Sequence, residues 1–93
     1  MNIEVMENLS EAVITTRFVL ENNSTIVSVF KDTDGEWQFF GNEECISEQD
    51  ARIISLNEIL QIDPTIKELF EITSGSHAYR ENKDDDWKIE QYE

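Results

Sequence analysis

The sequence predicts an α+β fold, with an antiparallel sheet of four to six strands and one or two short helices packed on one face. Three observations predict it. Runs of β-branched and aromatic residues alternate with polar turn residues in the first half of the chain. An Asp-Gly pair lies between two apolar runs, as in a hairpin. Two helix-start signals follow in the second half.

The first half of the chain contains three predicted strands. Ala12–Leu20 and Thr25–Lys31 are rich in Val, Ile and Thr and are separated by the polar turn residues 21–24. Asp34 and Gly35 then turn the chain into a return strand over Glu36–Phe40, because glycine tolerates the positive φ of such turns.

Side chains alternate between the two faces of a sheet along each strand, and the length of the hairpin loop decides which residues of the two strands share a face. An even-length loop of two or four residues groups Ile26, Phe30, Trp37 and Phe39 on one face and Val27, Val29 and Phe40 on the other. An odd-length loop breaks this grouping. If the helices cover only one face, the Val27–Val29–Phe40 patch becomes an interaction surface, and the alternative is a second covering layer.

The second half begins with a short predicted strand, Ala51–Ile54. Ser55 and Glu58 fit a capping box, which predicts a short helix over 56–61. Asp63-Pro64 starts a further helix, because Asp accepts free amide hydrogens and proline suits the first helical position. The apolar residues of that helix recur at helical spacing, at Ile66, Leu69 and Phe70.

A last strand is predicted over Ser76–Glu81, with His77 and Tyr79 on one face and Ala78 on the other. Trp87 and Ile89 suggest an additional edge strand.

The length of 93 residues allows one domain, with a frayed N-terminus over 1–10 and an acidic tail over 82–93. The acidic start resembles no signal peptide, and no apolar run approaches the roughly 20 residues of a membrane span. Cys45 is the only cysteine, so an internal disulfide is impossible. We therefore expect a cytoplasmic protein.

Charge is the strongest functional indication. Twenty-one carboxylates against seven Lys and Arg give a formal net charge of −14, which repels nucleic acids and anionic membranes. The expected partner is a protein with a basic surface, and self-repulsion favours a monomer or a weak dimer. The expected contacts are acidic residues of one loop region together with one aromatic residue: Glu43, Glu44, Glu48, Asp50 and Trp87. Trp87 is either a lid on the core or an exposed anchor.

No catalytic set, metal cage or cofactor loop is evident, so we expect no enzyme and no cofactor. The glycines are too far apart for a phosphate loop. A calcium-hand loop with Gly35 at its sixth position would place Phe30 and Gly41 at ligand positions, which excludes it. A Cys45–His77 catalytic pair requires contact in space, which sequence does not test.

Several segments in order resemble a family of small bacterial proteins of unknown function. The matching segments are 13–16, 18–20, 34–44 with its Trp37-Gln38-Phe39-Phe40-Gly41-Asn42-Glu43 stretch, 63–69, Gly75 and Tyr79-Arg80. Members often carry Gly directly before the Trp, where this chain has Glu36. Part of that family is grouped with immunity proteins of polymorphic toxin systems, which bind and neutralise a toxin. The resemblance implies no catalytic residues.

Three functions follow as hypotheses. The leading one is a non-enzymatic protein-binding module, with an immunity protein against a basic toxin as its specific form, because carboxylates steer cationic partners. The second is a nucleic-acid mimic that occupies a basic groove. The third is a soluble domain without a specific partner, whose acidity maintains solubility.

Overall fold

The computed structural model describes residues 9–44 and 46–92. The fold is α+β, as the sequence predicts, with a six-stranded sheet and short helical elements packed on it. The strands are β1 (Ala12–Thr16), β2 (Ser28–Lys31), β3 (Trp37–Phe40), β4 (Ala51–Ser55), β5 (Ser76–Tyr79) and β6 (Lys88–Gln91). The helical elements are α1 (Arg17–Glu21), α2 (Leu56–Ile62) and two 3₁₀ helices, Glu48–Asp50 and Pro64–Leu69.

The strand order is β4-β1-β3-β2-β5-β6, and the sheet is mixed instead of purely antiparallel. β3 pairs with β2 through the hairpin and lies parallel to β1 on its other side. This parallel pair arises because the β2–β3 hairpin returns β3 into the position between β1 and β2. The remaining four pairings are antiparallel.

The hairpin loop has an odd length, so the predicted grouping of residues by face is wrong. Lys31 pairs with Trp37, which leaves five residues in the loop. The Asp32 carboxylate accepts hydrogen bonds from the amides of Asp34 and Glu36, both at 2.9 Å, and Gly35 adopts a φ of +84°. This side-chain turn absorbs the additional residue. Val29 therefore shares a face with Trp37 and Phe39, whereas Phe30 lies on the face of Phe40.

The first predicted strand is also shorter than expected. It ends at Thr16, whose hydroxyl accepts a hydrogen bond from the Val19 amide at 3.3 Å and so caps the N-terminus of α1. Val19 is buried in this single-turn helix. The β-branched run predicted a strand because propensity alone gives no weight to a Thr cap.

The helix signals in the second half are confirmed. Ser55 and Glu58 form the expected capping box at the start of α2, with the Glu58 amide 3.1 Å from the Ser55 hydroxyl. Asp63 caps the next element through the Thr65 amide at 3.0 Å. That element is a 3₁₀ helix, in which Ile66 and Leu69 are buried.

One hydrophobic core lies between the helical elements and one face of the sheet. The sheet contributes Val13, Val29, Trp37, Phe39 and Ala78 to this core, and the helical elements contribute Val19, Leu56, Ile59, Ile66 and Leu69. These side chains are almost completely removed from water. Their burial is the main favourable term in the stability of a domain of this size.

The predicted edge strand after the acidic Asp84–Asp86 stretch is confirmed. β6 pairs with β5 at the border of the sheet, so the segment expected to form an acidic tail contributes a strand. Trp87 packs against the core, lies under the Arg80 guanidinium at 4.1 Å and donates its indole N–H to Thr65 Oγ1 at 3.1 Å. Of the two alternatives for Trp87, the structure therefore gives the core lid.

Candidate functional site

The face of the sheet opposite the core is the candidate site, and we call it the open face. One row of cross-strand neighbours crosses all six strands of this face: Ile53, Ile14, Gln38, Phe30, His77 and Glu90. None of these six residues is buried, and Ile53 is 73% exposed. Four of the six are apolar or aromatic, and Gln38 and Glu90 are polar; an accessible surface rich in apolar and aromatic side chains is typical of a binding site.

Aromatic rings are concentrated at the centre of the open face. The Phe30 ring stacks on the His77 imidazole, with centroids 4.2 Å apart and the planes 5° from parallel. Phe40 and Tyr92 approach Phe30 edge-on, at 6.1 and 5.4 Å. Tyr79 lies 5.4 Å from His77 and is partly exposed. These contacts hold the rings in fixed orientations, so a partner would meet a pre-organised surface.

His77 also links two polar side chains from neighbouring strands. Its Nε2 lies 2.7 Å from Ser28 Oγ, and its Nδ1 lies 3.1 Å from Glu90 Oε2. The His77 side chain is 19% exposed and the Glu90 side chain 55% exposed. With a proton on Nδ1 donated to Glu90, Nε2 is free to accept the Ser28 hydroxyl proton.

A shallow cavity of about 610 Å³ lies at one end of the open face, where the 41–48 loop meets the sheet. Its apolar lining includes Ile14, Phe40 and Ile46. Its acidic lining consists of Glu43, Glu44 and Glu48, which are three of the residues that the sequence predicts as partner contacts. The fold therefore brings these three carboxylates together beside an apolar surface.

Glu43 is partly engaged by the protein itself. Its Oε2 accepts a hydrogen bond from the Ser24 hydroxyl at 2.5 Å, whereas its Oε1 is buried and has no partner among residues 9–44 and 46–92. Gly41 leaves room for this carboxylate, because a Cβ at position 41 would lie 2.6 Å from Glu43 Oε1. A larger residue at position 41 would therefore displace the Glu43 side chain.

Asp50 and Trp87, the other two predicted contacts, lie elsewhere. Asp50 is only 8% exposed, accepts the Ser47 amide at 2.9 Å and pairs with the Arg17 guanidinium at 2.7 Å. The Ser47 amide, followed by Arg17, lowers the pKa of the Asp50 carboxyl below its ordinary value. This carboxylate stabilises the entry into β4, and Trp87 packs on the core, so neither belongs to the open face.

Sequence reasoning did not identify Ser28 and Gln38 as site residues. Alternation along β5 did place His77 and Tyr79 on one face, as the structure confirms. Joining His77 to Ser28 and Glu90 requires the pairing of β5 with both β2 and β6. No local signal in the sequence specifies that pairing. The Cys45–His77 pair, which the sequence does not test, involves Cys45, and that residue lies outside the described residues.

A second cavity of about 620 Å³ lies near the end of α1, lined by Ile26, Asp63 and Thr65 among others. Two carboxylates line this cavity: Asp63, which is paired with Arg80, and Asp84.

In the described part of the chain, no group of three or more His, Cys, Asp or Glu side chains could hold a metal ion. No helix within that part is both long and apolar enough to cross a membrane. Comparisons with protein-family models, with curated proteins and with solved structures find no match to this chain.

Proposed function

We propose that this chain is a protein-binding module that docks a basic protein on its open face, as an immunity protein docks its toxin. The observation that carries the proposal is the combination of an apolar, aromatic sheet face with a carboxylate-lined cavity on a chain of formal charge −14. The family resemblance of the sequence supports the immunity role in particular.

Two physical terms act together in this proposal. Aromatic rings such as Phe30 and Tyr79 supply apolar area, and rigid aromatic side chains are frequent hot spots of interfaces. Glu44 and Glu48 lie at the exposed border of the cavity and attract cationic side chains. A lysine or arginine of the partner can pack its aliphatic stem on Phe40 and direct its charge to these carboxylates.

The experiment starts from partners captured by the tagged chain from cells of its source, followed by binding measurements with each purified partner. The test variant is Glu44→Lys/Glu48→Lys on the open face. The matched control is Glu68→Lys/Glu71→Lys, which makes the same charge change on exposed residues in and just after the second 3₁₀ helix. We expect a basic partner whose Kd rises at least tenfold with the first pair and less than threefold with the second.

Two further measurements distinguish the contribution of apolar contact from that of charge attraction. Ile53→Asp removes apolar area without adding positive charge, so we expect faster dissociation from a partner that covers the open face. The association rate should fall as salt is raised from 50 to 500 mM, because salt screens the attraction between the charges. The Debye length is roughly 10 Å at 0.1 M. Equal effects of the two charge-reversal pairs, or an association rate independent of salt, would refute the proposal. A toxin encoded beside this chain should also lose its toxicity when both are co-expressed.

A further inference from the structure

Hydrogen bonds on the open face connect Ser28, His77 and Glu90 in the order hydroxyl, imidazole, carboxylate. The Ser28 Oγ–His77 Nε2 distance is 2.7 Å, and the His77 Nδ1–Glu90 Oε2 distance is 3.1 Å. A nucleophile within hydrogen-bond reach of a base, with the base oriented by a third group, is the arrangement that activates a serine. The three residues come from β2, β5 and β6, so the sheet itself holds them in place.

The geometry points to Ser28 as a nucleophilic serine that takes an acyl or phosphonyl group from an activated ester-type donor, with His77 as its general base. This inference does not rest on the proposed function, because the contacts among these three residues are the same whether or not the open face binds a protein.

The surroundings of Ser28 support the inference. Ser28 lines the 610 Å³ cavity together with Ile14 and Phe40, which offer an apolar surface to an acyl chain. The half-buried Gln38 also lines it, and its side-chain amide makes no hydrogen bond to another described residue. An unengaged amide beside a nucleophile is a donor for the oxygen on which negative charge develops.

The ring of His77 is held in one orientation. It stacks on Phe30 at 4.2 Å, and in the tautomer that this scheme requires, Nδ1 carries the proton and donates a hydrogen bond to Glu90 on the adjacent strand. This leaves the Nε2 lone pair directed at the Ser28 hydroxyl. Glu90 is a positioning residue in this scheme, since it acts through the imidazole.

The step balances as a simple acyl transfer. Ser28 Oγ forms a bond to the carbonyl carbon while its proton passes to His77 Nε2. The bond from that carbon to the leaving oxygen then breaks, and His77 Nε2 returns the proton to the leaving group. The product is an ester of Ser28 and a free alcohol. Because Glu43, Glu44 and Glu48 line the cavity, a neutral or cationic donor is favoured over an anionic one.

The experiment treats the full chain with an ethyl fluorophosphonate probe, in which fluoride is the leaving group, and locates the adduct by peptide mass spectrometry. We expect one adduct per chain, on Ser28, and none in Ser28→Ala. The matched control Ser74→Ala, at an exposed serine of another loop, should label like the wild type. His77→Gln keeps a polar side chain but removes the base, and we expect the rate to fall about 100-fold.

Circular dichroism and thermal unfolding establish that each variant is folded. For Glu90, the readout is the ¹⁵N spectrum of the His77 ring: the proton resides on Nδ1 in the wild type and is shared between both nitrogens in Glu90→Gln. An unlabelled wild type, an adduct that persists in Ser28→Ala, or a rate unchanged in folded His77→Gln would overturn the inference. The two proposals can fail independently: absence of labelling would refute the nucleophilic serine but not the binding of a basic partner, and absence of a basic partner would refute the binding proposal but not the nucleophilic serine.

Discussion

The ion pair between Arg80 and Asp63 gives the most direct test of how the fold is held together. The Arg80 side chain is 1% exposed, and that of Asp63 is 15% exposed. The guanidinium donates two hydrogen bonds to the Ile26 carbonyl, at 3.0 and 2.8 Å, and one to the Asp63 carboxylate. It thereby joins the segment after β5, the loop before β2 and the start of the second 3₁₀ helix.

We expect Asp63→Asn to lower the free energy of unfolding by about 3 kcal/mol. Removing one partner of a buried pair strands the other charge, at a loss of about 3–5 kcal/mol, and the slight exposure of Asp63 favours the lower end of that range. The helix cap is kept, because asparagine caps as well as aspartate and its oxygen still accepts the Thr65 amide. The expected loss therefore reports the charge together with the hydrogen bond that Asp63 Oδ2 accepts from Arg80, and not the helix cap.

Urea unfolding followed by tryptophan fluorescence measures the effect. With an m-value of about 1.5 kcal/mol per M, the midpoint should fall by about 2 M. Asp86→Asn is the matched control: it removes the same charge at an exposed position, and we expect a change within about 0.5 kcal/mol. If both variants changed the stability equally, or Asp63→Asn by less than 1 kcal/mol, the Arg80 charge would not depend on its partner and the reasoning would fail.

Three other predictions concern local features. The pKa of Asp50 is lowered in the folded protein, so its ionised carboxylate contributes fully to stability above the unfolded pKa of about 3.9, and this contribution is lost as the pH falls through the folded pKa. The difference in stability between the wild type and Asp50→Asn, measured by urea unfolding, should therefore disappear at low pH. A difference that stays constant with pH would contradict this. Ser55→Ala removes the cap of α2 and should lower stability by about 1 kcal/mol in the same assay, with Asn57→Ala as a neutral comparison. Gly35→Val forces a β-branched residue to a φ of +84° and should lower the thermal midpoint clearly more than Gly35→Asn does, whereas equal losses would exclude backbone strain as the cause.

Features that depend on a few neighbouring residues were predictable from the sequence. The capping box at Ser55, the Asp63 cap and the opposite orientation of His77 and Ala78 are each encoded within four residues or fewer. The clustering of Glu43, Glu44 and Glu48 also follows from their proximity in one loop. Short-range chemistry decides such features, so no knowledge of the fold was needed.

Features that depend on chain pairing were not predictable. The hairpin register depends on the Asp32 carboxylate, which accepts hydrogen bonds from two backbone amides and makes the loop one residue longer than four, the longer of the two predicted lengths. That single addition moved Phe30 from the predicted face of Trp37 and Phe39 to the opposite face, the open face. The contact of His77 with Ser28 spans 49 positions of the chain and exists only because β2 pairs with β5. Sequence spacing carries no information about such a contact.

The net charge and the open face impose opposite requirements on self-association, and salt separates them. Exposed apolar side chains such as Ile53 and Tyr79 favour the pairing of two copies, whereas a charge of −14 on each copy opposes it. Salt screens the repulsion, with a Debye length of about 30 Å at 0.01 M and about 3 Å at 1 M, but leaves apolar burial intact. We therefore expect sedimentation velocity to show monomers at 10 mM NaCl and a growing dimer fraction at 1 M, and Ile53→Asp to suppress that dimer. Binding of a basic partner should weaken over the same range, because there the charges attract. Dimers that dissociate as salt is added would show that ion pairs hold them together, and the role of the apolar open face in self-association would then be wrong.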